Sequence, residues 1–160
     1  MVCSYCFLHL NMSKPRFSYL YIFLLLISFS SKSQVNLDSL WGVWNDKTQP
    51  DTIRLKAINK IAWDGYLYSN PDSVFYFAQM AYDLAEAKNN KKWMANALHT
   101  QGISFYFRSN YEKAMEYNSK SLAIQKELDN TKGIGASYSF LAFIYKDQGN
   151  YEKALEYYLK

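Results

Sequence analysis

The chain has 160 residues, enough for one ordinary domain, and its 49% hydrophobic content with only 3 Pro and 6 Gly argues against a disordered polymer. The formal charge of +4 belongs mostly to the N-terminal leader: Lys14, Arg16 and Lys32 lie in the first 33 residues, which hold no acid, and the remainder carries 15 basic against 14 acidic residues. A nearly neutral body gives no electrostatic footprint for nucleic acid. Both cysteines, Cys3 and Cys6, also lie in the leader, which excludes a disulfide framework or a cysteine-ligated zinc site after it.

In the leader, Lys14 and Arg16 precede an apolar run from Phe17 to Phe29, and Ser31 and Ser33 follow as small residues before Gln34. This is the pattern of a secretory signal over residues 1–33, complete from Met12 onward. The run is shorter than the roughly 20 residues that span a bilayer, so cleavage is favoured over an uncleaved anchor. The expected location is therefore outside the cytoplasm, periplasmic or anchored and facing the periplasm.

Residues 34–50 carry Leu37, Leu40, Trp41 and Trp44 at helical spacing, followed by Pro50, and read as a linker or an N-terminal cap. The pattern then predicts helices over 51–67 (Ile53, Leu55, Ile58, Ile61, Ala62), 74–88 (Val74, Phe77, Ala78, Ala81) and 92–108 (Trp93, Ala97, Leu98, Gly102, Phe105). Further helices follow over 110–128, 135–148 and 150–160. The breaks are polar: Asn70-Pro71-Asp72, Asn89-Asn90, Ser109-Asn110, Asp129-Asn130-Thr131 and Gly149-Asn150. No stretch alternates with the period of a strand, so the fold class is all-α, built of antiparallel hairpins.

The words NYEKAMEYNSK at Asn110 and NYEKALEYYLK at Asn150 lie 40 residues apart. A fixed echo of this size marks a repeat architecture. In that register Ala62, Gly102 and Ala142 fall together on the first helices, and Val74, Ala114 and Ala154 on the second. Small residues at both points let two helices approach closely, while Phe105 and Tyr145 supply bulk one turn on. Tyr111 and Tyr151 open the second helices, where each is placed to pack back under its turn. The register divides the chain into a degenerate repeat at 51–90, a full one at 91–130 and a truncated one at 131–160. The last one stops within a helix, so the chain reads as a fragment.

Gly102-x-x-Phe105, Tyr111-x-x-Ala114, Ala142-x-x-Tyr145 and Gly149-Asn150-Tyr151-x-x-Ala154-x-x-x-Tyr158 resemble tetratricopeptide repeats. The resemblance covers about residues 51–160. It departs from the family in its longer period, in lacking the late proline, and at Gly65 and Val74 of the first repeat. It implies an α-solenoid whose first helices line a concave groove for a protein or peptide. On that basis the groove carries Asn59, Trp63, Tyr66, Asn96, His99, Ile103, Tyr106, Ser139, Phe143 and Lys146, with Trp63, Ile103 and Phe143 forming an apolar stripe. The family's carboxylate-clamping type needs a Lys and Asn pair. The matching positions hold His99 and Ile103, or Asn59 and Trp63, so that specificity is not expected.

No catalytic constellation is legible. His99 is the only histidine after the leader, there is no phosphate-cradling glycine loop, and Glu112, Glu116, Glu152 and Glu156 recur beside Lys113, Lys120 and Lys153 as solvated helix faces. No enzyme activity, cofactor or metal is expected of this segment, and membrane contact only through the leader or a downstream segment. The expected function is a binding scaffold of the bacterial cell envelope. The alternative is the sensory front of a membrane signalling protein, with a histidine kinase or DNA-binding output beyond Lys160.

Overall fold

The computed structural model describes residues 36–160; the leader, with its signal pattern and both cysteines, lies outside the described residues. Seven α-helices follow one another: α1 (Leu37–Asn45), α2 (Asp51–Lys60), α3 (Pro71–Ala87), α4 (Lys91–Phe107), α5 (Tyr111–Glu127), α6 (Thr131–Asp147) and α7 (Tyr151–Tyr158). A π-helical segment, Ile61–Tyr66, continues α2. The described residues form no strand. Helices α2/α3, α4/α5 and α6/α7 pair as three hairpins stacked into a solenoid, as the repeat register predicts.

The turns explain the regularity. Asn70, Asn90, Asn110, Asn130 and Asn150 are N-caps spaced by 20 residues, accepting through their side chains from the N–H groups of Ser73, Trp93, Lys113, Gly133 and Lys153. Before four of them stands a residue in the left-handed region: Asn89 (φ 50°), Ser109 (57°), Asp129 (50°) and Gly149 (76°). The N–H groups of Asn90, Asn110, Asn130 and Asn150 reach back to the carbonyls of Ala85, Phe105, Gln125 and Tyr145 at 2.8–3.0 Å. That is a Schellman closure, so one asparagine ends each helix and starts the next. The capping also corrects two predicted starts. Helix α3 begins at Pro71 rather than Val74, and α6 at Thr131 rather than Gly135.

Close approach within the hairpins occurs at the small residues. A Cβ on Gly102 would lie 3.1 Å from the Ala114 carbonyl oxygen, and Ala62, Val74, Ala114 and Ala142 are fully buried. In the first hairpin Leu55, Ile58, Ile61 and Phe77 complete the core. Helix α1 packs on them through Leu37, Leu40, Trp41 and Trp44, with the Trp41 ring edge-on to Phe77 at 5.5 Å. Gly65 is explained here: a Cβ would come within 3.0 Å of the Leu37 side chain, so the missing bulk is supplied by α1. Tyr111 packs on Tyr106, with centroids 5.9 Å apart, but Tyr151 is exposed. The residue corresponding to Tyr106 there is Lys146, which offers no ring to pack against.

Between the second and third hairpins part of the packing is polar. Asn118, Ser121, Gln125 and Ser137 are buried, and among the described residues no buried side-chain polar atom lacks a partner. Asn118 donates to the Ser137 carbonyl (2.9 Å) and Gln125 accepts from Asn130 (2.7 Å), while Ser121 donates within the second hairpin to the Ala95 carbonyl (2.8 Å). A Cβ on Gly133 would meet the Gln125 amide at 2.3 Å, so α5 and α6 touch at that glycine.

Candidate functional site

The first helices of the three hairpins line an open cleft of about 550 Å³. Six of the ten groove residues come together in it: Trp63 from the π segment, His99, Ile103 and Tyr106 from α4, and Ser139 and Phe143 from α6. The other four stand outside. Asn59 accepts a long hydrogen bond from Thr100 (3.5 Å) and Asn96 one from Gln125 (3.5 Å), both bracing the wall from behind. Lys146 sits at the rim with its ammonium 5.4 Å over the Phe143 ring.

Tyr66 is the clear departure from the register. Its ring packs on Phe77 of α3 at 5.0 Å, inside the first hairpin, while Tyr106 lies against Phe140 at 5.7 Å. The cause is the π segment. A π turn takes up an extra residue, so every side chain after it is rotated relative to an α-helix in the same register. Leu67 and Tyr68 therefore enter the cleft, and Tyr68 meets Phe107 edge-on at 5.5 Å. Phe107, Phe140 and Ala136 complete the set that sequence reading missed. Phe140 had a signal, since it stands one helical turn before Phe143.

The cleft is aromatic and uncharged: no Lys, Arg, Asp or Glu is among its lining residues. The Trp63 indole N–H donates to the Thr100 hydroxyl (3.2 Å), which fixes the ring as one wall. The Tyr106 hydroxyl donates to Asp147 and so ties α4 to α6. That bond and the nearby carboxylate push the phenol up to about 12.

His99 is held from behind. The Asn118 amide nitrogen faces the Ser137 carbonyl, so its oxygen must face His99 Nδ1, 3.1 Å away. The imidazole is thereby fixed as the Nδ1–H tautomer. Burial pushes its pKa below 6.5, with the Asn118 hydrogen bond opposing more weakly, so the ring is neutral at neutral pH. Its edge meets Phe140 at 5.3 Å. Nε2 has no hydrogen-bond partner among the described residues and keeps contact with solvent.

Among the described residues no cluster of His, Cys, Asp or Glu has the grouping of a metal site, and no helix is long and apolar enough to cross a membrane. The cleft offers apolar contact area and hydrogen bonding, the chemistry of recognition.

No family model matches the chain. The chain is similar to the protein FLUORESCENT IN BLUE LIGHT, chloroplastic, from Arabidopsis thaliana, with 28% identity over 88 residues. That match takes in 55% of this chain and 28% of the relative, so only a minor part of the relative's length is spanned. The crystal structure of the TPR domain of Arabidopsis FLU superposes with a TM-score of 0.59 at 26% identity, covering 68% of this chain and 92% of that one. The all-α solenoid is thus a tetratricopeptide-type fold, as the residues of the second and third repeats imply. Such folds are typically non-catalytic scaffolds for protein–protein interaction.

Proposed function

We propose that this tetratricopeptide-type array is a protein- or peptide-binding scaffold of the bacterial cell envelope, with its partner seated in the cleft between Trp63 and Phe143. The observation that carries the reading is the cleft itself. Six aromatic rings converge on an open, uncharged surface, and Phe143 remains 45% exposed at its edge. Exposed aromatic surface of this kind is where binding energy concentrates in protein interfaces. The envelope setting rests on the leader pattern around Lys14, Arg16 and the run Phe17–Phe29.

The test is selection of binders from a random peptide library against the full chain, followed by titration of Trp63→Ala and Phe143→Ala. Each truncation removes an aromatic anchor and is expected to weaken the selected peptides by about tenfold, near 1–2 kcal/mol. Unchanged affinity in both variants refutes the cleft as the binding surface. For the location, N-terminal sequencing of the chain expressed in a bacterium is expected to read from Gln34. A chain recovered from the cytoplasm with its leader intact contradicts it.

A further inference from the structure

We propose that the cleft is built to take a tryptophan side chain of the partner, with the indole N–H donating to Nε2 of His99. The proposal rests on the reading of the cleft as a binding surface and adds the chemistry of its anchor.

Three observations lead to it. First, His99 presents one unpaired acceptor and no donor to the cleft. The chain of contacts from Ser137 through Asn118 commits Nδ1 as the N–H and leaves Nε2 as a lone pair. The backing amide is fully buried, so the ring cannot simply reverse its roles without breaking the Asn118–Ser137 bond. Second, the lining around that acceptor is rings and aliphatic groups with the Ser139 hydroxyl, and no charged side chain is among it. A cation or carboxylate entering this cleft loses water and finds no counter-charge among its lining residues, which disfavours it. An uncharged aromatic group loses little and gains edge and face contacts with Trp63, Tyr106, Phe140 and Phe143. Third, an acceptor in an apolar wall rejects ligands that leave it unpaired. The ligand must bring a single donor.

Indole meets that description better than phenol. Its nitrogen is a donor only and asks nothing further of the walls, whereas a phenolic oxygen also carries lone pairs that need a second partner. The same wall already holds one indole in this manner, because Trp63 is seated with its N–H on the Thr100 hydroxyl. The cleft volume of about 550 Å³ accommodates one bicyclic side chain together with adjoining backbone.

The experiment titrates the full 160-residue chain, labelled with nitrogen-15 in its histidines, with indole, with benzothiophene as the same shape lacking a donor, and with p-cresol. Indole is expected to bind at least about fivefold more tightly than benzothiophene, the worth of one net hydrogen bond, with p-cresol between them. The Nε2 resonance of His99 is expected to move upfield with indole and to stay in place with benzothiophene. His9, the other histidine, serves as internal control. In His99→Phe the preference for indole disappears, and the resonance shift in the unsubstituted chain stands whether or not that variant folds. Equal binding of indole and benzothiophene with an unmoved Nε2 signal overturns the tryptophan anchor and leaves the cleft as an apolar binding surface. If no probe perturbs the cleft residues, the anchor and the binding surface fall together.

Discussion

Replacing Asn118 by alanine tests whether the polar seam holds the second and third hairpins together. Asn118 is fully buried and makes two contacts, one across the stack at 2.9 Å to the Ser137 carbonyl and one within its own hairpin at 3.1 Å to His99 Nδ1. Each such hydrogen bond contributes about 0.5–1.5 kcal/mol net, and the abandoned His99 N–H adds the cost of an unpaired buried donor. With the small void left by the side chain, the expected loss is about 2–4 kcal/mol. For a folded body of this length that lowers the melting temperature by roughly 10 °C. Thermal unfolding followed by far-UV circular dichroism measures it. Two companions locate the cause. Asn118→Leu fills the space but leaves the same groups unpaired, so it is expected to be destabilised to a similar degree. Ser119→Ala, at the exposed neighbour, is expected to stay within about 0.5 kcal/mol of the parent. Hydrogen exchange in Asn118→Ala is expected to accelerate in α5 and α6 more than in α2 and α3, because neighbouring repeats are coupled only through their interface. An Asn118→Ala melting point within about 2 °C of the parent refutes the claim that this amide bridges the stack.

Two further outcomes follow from the same interface. Gly133→Ala drives a Cβ into the Gln125 amide, whose oxygen is already engaged by Asn130, whereas a Cβ on Gly135 meets nothing within 4 Å. The first is expected to destabilise by about 1–3 kcal/mol and the second to stabilise by about 0.5–1 kcal/mol through helix propensity. Urea midpoints moving in the same direction for both contradict this account. For His99, burial keeps the folded pKa below 6.5, so between 6.5 and the folded value the unfolded chain binds more protons. The neutral ring's contribution is therefore complete above about pH 6.5 and is lost as pH falls through that window. Urea midpoints of the parent are expected to drop more steeply from about pH 7 to pH 5 than those of His99→Phe; parallel curves would show that His99 does not protonate there.

Much of the solenoid is legible in the residues themselves. Gly102, Ala114, Ala142 and Ala154 mark the close approaches because only small side chains fit there, and the 40-residue echo sets the hairpin register. The asparagines at Asn70, Asn90, Asn110, Asn130 and Asn150 carry a finer 20-residue period, which the capping geometry makes plain. The candidate site is legible in part. Trp63, His99, Ile103, Tyr106, Ser139 and Phe143 converge because the repeat places them on one wall. Phe140 was within reach of a helical-turn argument applied backward from Phe143.

The local code of caps, left-handed turn residues and small–small contacts acts within a hairpin, so the sequence by itself determined the helix order, the pairing and the wall that faces the groove. The tertiary structure alone decided three things. The π turn at Ile61–Tyr66 turns Tyr66 onto Phe77 and brings Leu67 and Tyr68 to the cleft. Leu37 takes the space above Gly65, a contact between residues far apart along the chain. The bond from Asn118 to Ser137 sets the tautomer of His99. Each depends on side chains from different helices that meet only when those helices pack. Periodicity reports which face of a helix is turned inward; it does not report which partner waits there.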